Sequence, residues 1–328
     1  MTSMSPVTSP PPSAPGAVVT LGETMALMAA EHFGPLQHSP TLSLGLGGAE
    51  SNVAIGLRRL GVDVTWISRV GADSLGDLVL REIGAEGVRV VASRDPDAPT
   101  GLMVKERRTS VQAKVWYYRA GSAASRMGVD DVDFDLVRNA ALLHLTGITP
   151  ALSPSMAEVT FEALRVARAA GVPISFDLNF RGRLWSREQA RETYRQIIPL
   201  ADLVFGGDDE VAIAVGDSDS PAELAQRLVS LGAGEAVIKL GAAGALAVVG
   251  DREYAQSAVP VTVVDTVGAG DAFVAGYLAD YLLGADVPAR LATAATAGAY
   301  ACLVSGDWEG LPRRDELAGL SATEPVSR

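Results

Sequence analysis

From Ala17 onward the chain alternates short runs of Val, Ile and Leu with stretches of helical spacing, and this alternation constrains the fold more than any other feature. The runs "AVVTLG", "VTWISRVG", "ALLHLTG", "VPISFDLN", "ADLVFGG", "EAVIKLG" and "ALAVVG" are almost continuously apolar, whereas "SNVAIGLRRLG" and "LGDLVLREIGAEG" are amphipathic. Strands that are apolar on both faces must be covered on both. The pattern therefore predicts an α/β protein, a three-layer α/β/α arrangement around a mainly parallel central sheet. Two regions break the rhythm. About 24–46 and 100–123, β-prone runs appear without the helices that should follow, and the second reads as a hairpin. Together they predict a small β-sheet lid across one end of the main sheet.

Composition sets the outer limits. An apolar content of 48% over 328 residues is ample for a large core. Acids outnumber Lys and Arg by 39 to 27, and a net charge of −12 argues against a nucleic-acid partner. The single cysteine, Cys302, has no internal disulfide partner, and His32, His38 and His144 have no metal-ligand spacing. With neither a membrane-spanning apolar stretch nor a charged-then-apolar leader, the expectation is no membrane partner and a cytoplasmic location. The Pro- and Ser-rich opening, 1–16, reads as a disordered leader, leaving a domain over 17–315 and a tail over 316–328.

Ligands of open α/β sheets sit at the carboxyl ends of the strands, which directs attention to five segments. In "GLGGAESNVAIGLRRLG" (45–61), Gly47 and Gly48 allow close backbone approach, and Glu50, Ser51 and Asn52 offer polar groups; Asn52 suits a sugar hydroxyl, or simply caps a helix. In "VWYYRAGSAAS", strand alternation puts Tyr117 and Arg119 on one face and Tyr118 on the other, a carboxylate grip or a solvated strand. "ISFDLNFRGRLW" places Asp177, Asn179 and Arg181 on one side of a strand exit, either for a ligand or as a salt-bridge cluster. "VIKLGAAGALAVV" reads as two strands joined by a Gly-containing turn, with Lys239 ending the first.

The fifth segment, "DTVGAGDAF", opens an apolar helix with Gly268, Ala269 and Gly270 directly before Asp271. A helix N-terminus there offers unpaired amides and a positive dipole end to an anion. Asp271 either caps the helix or takes a proton from a hydroxyl attacking a phosphoryl group held by those amides. Neither a P-loop nor a dinucleotide-binding G-x-G-x-x-G after the first strand is present.

Two long signatures in order, "GGAESNVAIGLRRLGVDVTWISRVGADSLG" and "DTVGAGDAFVAGYLA", resemble those of the ribokinase-like (PfkB-type) carbohydrate kinases. The resemblance implies ATP as donor, Mg²⁺ bridging its phosphates, Asp271 as catalytic base, and Gly268, Ala269 and Gly270 as the anion hole. It also implies a nucleotide loop over Lys239, Leu240, Gly241, Ala242, Ala243 and Gly244. Within the family, "WYYRAGSAAS", "HLTGITPALSP", "FDLNFRGRLW" and "SGDWEGLP" are similar to kinases of 2-keto-3-deoxygluconate. That similarity implies a sugar-acid acceptor contacted by Gly48, Ala49, Glu50, Ser51, Asn52, Tyr117, Tyr118, Arg119 and Asp307. Arg181 falls between substrate and nucleotide, with Arg183 on the nucleotide side. Where many relatives have Asn before the acids that organise magnesium, "VFGGDDE" has Gly207, so only Glu210 is expected near the metal, through water. By analogy with relatives that associate through the lid, a homo-oligomer is expected. A fructokinase- or ribokinase-type specificity, or a non-catalytic sugar- or nucleotide-binding regulator, are the alternatives.

Overall fold

The computed structural model describes residues 16–109 and 112–321. The expected disordered leader, but for Gly16, and the last seven residues of the expected tail lie outside the described residues. The other tail residues do not hang free: 317–321 form a 3₁₀ turn, with Leu317 packed against the core.

Among the described residues, thirteen strands form two sheets. The larger takes β1 (Val18–Leu21), β4 (Val64–Gly71), β5 (Arg89–Asp95), β8 (Leu142–Thr146), β9 (Ile174–Asp177), β10 (Leu203–Gly207), β11 (Glu235–Lys239), β12 (Ala245–Val249) and β13 (Arg252–Gln256), in the order β13-β12-β11-β10-β9-β8-β1-β4-β5. All its pairings are parallel except β11–β12 and β12–β13. The smaller sheet takes β2 (Met25–Ala30), β3 (Leu42–Gly47), β6 (Leu102–Arg107) and β7 (Ala113–Tyr118) in the order β3-β2-β6-β7. It consists of two antiparallel pairs joined along a parallel β2–β6 seam. Both expected strand-rich regions thus supply this lid.

Successive residues of the central strands enter opposite cores, as period-2 geometry requires. Val18, Leu142, Leu203 and Val237 face one core, whereas Val19, Leu143, Val204 and Ile238 face the other. The helices are α1 (Ala49–Arg59), α2 (Ser74–Ala85), α3 (Phe134–Arg138), α4 (Ile148–Ala151), α5 (Pro154–Ala170), α6 (Arg187–Ile197), α7 (Asp208–Val215), α8 (Pro221–Leu231), α9 (Ala269–Leu282) and α10 (Val287–Ala301). Helices α1, α2, α9 and α10 cover the first face, and α3 with α5–α8 the second. Helix α9 is buried on every side from Ala272 to Asp280, which explains its lack of an amphipathic stripe. No helix of the described residues is long and apolar enough to cross a membrane.

Candidate active site

A cavity of about 1240 Å³ opens between the lid and the carboxyl ends of the central strands. Its floor includes Glu23 just past β1, Asn179 past β9, Gly207 ending β10 and Lys239 ending β11; its roof carries Met25, Met103 and Tyr117 of the lid. This is where an open α/β sheet places a ligand.

On the floor, helix α9 starts at Ala269 after Gly268, whose φ of 76° is left-handed. A side chain there would collide with the carbonyl of Asp307, so both dihedral and space require glycine. The first-turn amides precede any intrahelical acceptor; that of Ala269 makes only a 3.3 Å bond to the Thr266 carbonyl. Asp271 follows within the first turn. Its Oδ2 accepts from Asn52 Nδ2 at 2.8 Å, so α1 and α9 hold the carboxylate between them. Burial pushes the Asp271 carboxyl up to about 7; Asn52 and Lys239 pull against that rise, while Asp177 adds to it.

Lys239 lies beside the same helix start and donates 2.8 Å bonds to both oxygens of the buried Asp177. Burial works against its charge, but Asp177, Glu210 and Asp271 more than offset this and hold the ammonium above its ordinary range. The rest of the expected nucleotide loop is a short exposed turn, Gly241–Ala243, between β11 and β12; of the expected residues 239–244, only Lys239 lines the cavity.

The sugar-side expectations divide. Gly48, Ala49, Glu50 and Asn52 line the cavity. Ser51 does not: it is fully buried, accepts from Thr24 Oγ1 at 2.7 Å and donates to the Gly48 carbonyl at 3.0 Å, so its hydroxyl is spent on shaping the turn. Glu50 Oε1 accepts from Thr146 and Thr149, both at 2.6 Å, leaving Oε2 without a partner; burial raises its pKa despite those bonds. The oxygen Oδ1 of Asn52 is likewise buried and unpartnered. Buried acceptors lacking a donor are costly, which suits a ligand bearing hydroxyls.

In the lid, Tyr117 and Arg119 face the cavity, while Tyr118 is a correction. Strand alternation turns Tyr118 to the outer face, where it is 64% exposed, so it cannot contact a ligand in this cavity. Arg119 is held by Glu23, with Nη2 at 2.5 Å and Nε at 2.6 Å from Glu23 Oε2; Ser122 donates to the other oxygen. The sequence reading missed Glu23. The sequence shows its place, two residues past the end of the first apolar strand, but neither its burial nor its partner.

Arg181 and Arg183 both reach the cavity. Arg181 is half exposed, 4.0 Å from Glu210 Oε1; Arg183 donates to the Val115 carbonyl of β7 and stacks over Tyr117 at 5.7 Å. Asp307 is half-buried, its carboxyl pressed against Gly47 of β3. Burial pushes it up to about 7, against the pull of Lys105. Both oxygens of Glu210 accept backbone amides, from Phe180 and Gly207, each at 2.9 Å. Among the described residues no cluster of three or more His, Cys, Asp or Glu side chains is arranged to hold a metal.

Comparison with known proteins agrees with this geometry. The model of the pfkB family carbohydrate kinase matches residues 16–314. The 2-dehydro-3-deoxygluconokinase of Bacillus subtilis is 40% identical over 314 residues, 94% of this chain and 96% of that one. A solved 2-dehydro-3-deoxygluconokinase from Thermotoga maritima is similar with a TM-score of 0.85 and 26% identity, over 93% of this chain and 98% of that one. A ribokinase II structure from E. coli in complex with ATP and Mg²⁺ gives a TM-score of 0.86 at 26% identity, over the same shares. The sheet order, the lid and the acid at the start of α9 therefore have one source: the chain belongs to the pfkB family of carbohydrate kinases.

Proposed function

We propose that this protein transfers the γ-phosphoryl group of ATP to the 6-hydroxyl of 2-keto-3-deoxygluconate, giving 2-keto-3-deoxy-6-phosphogluconate and ADP. The observation that carries the reading is Asp271 within the first turn of α9, gripped by Asn52 and raised to about 7, in the cavity whose roof holds Arg119. A base with a pKa near working pH is well matched to accept a hydroxyl proton. The acceptor oxygen attacks the γ-phosphorus as its proton passes to Asp271; the bond to the β,γ-bridging oxygen breaks, and its electrons leave with ADP. The amides of Ala269 and Gly270 and the positive end of α9 stabilise charge on the group in transit. Bound Mg²⁺ would neutralise phosphate charge, with Glu210 as its outer contact.

Glu50 Oε2 and Asn52 Oδ1 accept acceptor hydroxyls, Arg119 with Tyr117 takes the carboxylate end, and Arg181, Lys239 and the turn over Leu240–Gly244 lie on the nucleotide side. The names of the Bacillus subtilis and Thermotoga maritima relatives support this acceptor. One observation favours a neutral sugar instead: Glu23 already balances the charge of Arg119. ADP formation across a panel of sugars and sugar acids, the C4 epimer included, tests the assignment. A preference for ribose or fructose would overturn it.

The site of action we assign to the cytoplasm, where ATP is abundant. We also assign the outer lid face to self-association. Leu44, Met28, Val104 and Trp116 form one apolar row across all four strands, with Leu44 54% exposed. Light scattering on wild type and Leu44→Glu tests this; a monomeric wild type removes it.

A further inference from the structure

One ion pair joins the lid to the phosphate side of the cavity. Lys105 of β6 shares a face with Met103, which lines the roof, and it is buried. Its Nζ donates to Asp265 Oδ2 at 2.6 Å, the two side chains being 7% and 17% exposed. The other oxygen of Asp265 accepts from the Val267 amide at 3.2 Å. Thus one carboxylate shapes the 265–267 turn with one oxygen and holds the lid with the other. Gly268, the left-handed cap of α9, comes next. Asp307 closes the arrangement, its carboxyl against Gly47 of the lid and its carbonyl against Gly268.

An exposed ion pair would do little here, but removing one member of a buried pair leaves an uncompensated charge. The lid has its own ladder bonds, so it does not need Lys105 to form strands. What the pair adds is a fixed relation between roof and turn.

We propose that Lys105 is a positioning residue that ties the closed lid to the shape of the 265–268 turn, so that the amides at the start of α9 are correctly set only when the lid lies over the acceptor. The inference rests on the kinase reading above for its chemistry, but the coupling does not depend on which acceptor is used. It also favours transfer to the acceptor over transfer to water, since an open lid leaves the turn unset.

The test compares wild type, Lys105→Met, Asp265→Asn and the double variant as full chains. Hydrogen exchange of amides 266–271, measured without any substrate, is expected to quicken about tenfold in Lys105→Met, an opening confined to the turn. With the best acceptor from the panel, kcat is expected to fall about tenfold or more and the KM for ATP to rise, although Lys105 is on the lid. The double variant should be no worse than the worse single one, as coupled residues require. Unchanged exchange at 266–271, additive losses, or a lower melting temperature with kcat unaltered would each overturn the proposal. Should Lys105→Met not fold, Asp265→Asn, which keeps an oxygen for the Val267 amide, carries the same exchange and kinetic readings. A wrong acceptor assignment instead appears as an idle wild type on that sugar acid, with the exchange result intact.

Discussion

The two walls of the cavity are built on different principles. Below, Asp271, Lys239 and the start of α9 rest on the carboxyl ends of parallel strands, with a full hydrophobic core on each side of the sheet. Above, the lid is one sheet thick, and the small hydrophobic cluster of its own is built on Met25, Leu27 and Met103. The lower wall rests mainly on apolar burial, which a charged ligand cannot compete with. The upper wall is held by charged contacts, Glu23 to Arg119 and Lys105 to Asp265, that a charged ligand can compete with. On the proposed function, the chemistry would belong to the rigid wall and the selection to the adaptable one.

The sharpest test of this division is Asp271→Asn. It should lower kcat by about 10²- to 10⁴-fold, the usual value of a general base, while ATP affinity by calorimetry stays within about twofold. Near-normal turnover would remove the base from the rigid wall. Next in size is Gly268→Ala, which forces a side chain into a left-handed position facing the Asp307 carbonyl. It should cost about 1–3 kcal/mol in chemical denaturation and, through displaced amides, about 10²-fold in kcat/KM. Arg119→Ala belongs to the other wall and should raise the KM for the sugar acid about 10- to 100-fold while leaving that for ATP almost unchanged. Equal effects on both would erase the distinction.

A pH profile follows from the raised carboxyl of Asp271. The base works only when ionised, so kcat/KM should climb with pH through about 7 and then level off. A flat profile from pH 5 to 8 would contradict it. Smallest of all, Tyr118→Ala should leave both KM values within about twofold, since that ring points away from the cavity.

Much of this was legible in the sequence, for identifiable reasons. Central strands buried on both faces announce themselves as apolar runs, so the main sheet could be read directly. The edge strands β5 and β13 could not: "RVVASRD" and "REYAQ" are half-exposed and polar, and nothing in their pattern separates them from loop. The glycine turn ahead of α9 was readable as a helix start that needs a left-handed residue, which is where Gly268 stands. Glu23 and Lys105 were not singled out, because an isolated charge in a strand-rich segment shows neither its burial nor its partner; those depend on Arg119 and Asp265, 96 and 160 residues away. Ser51 and Tyr118 are sequence neighbours of cavity residues that do not themselves line the cavity. A motif names neighbours in sequence, whereas helix and strand geometry decides which of them face the ligand.

The bond between Asn52 and Asp271 spans 219 positions of the chain. During synthesis the lid strands and α1 leave the ribosome long before α9 exists, so a chain stopped short of residue 271 lacks the carboxylate that Asn52 grips. On the proposed function, activity would therefore double as a report that translation has passed the start of α9.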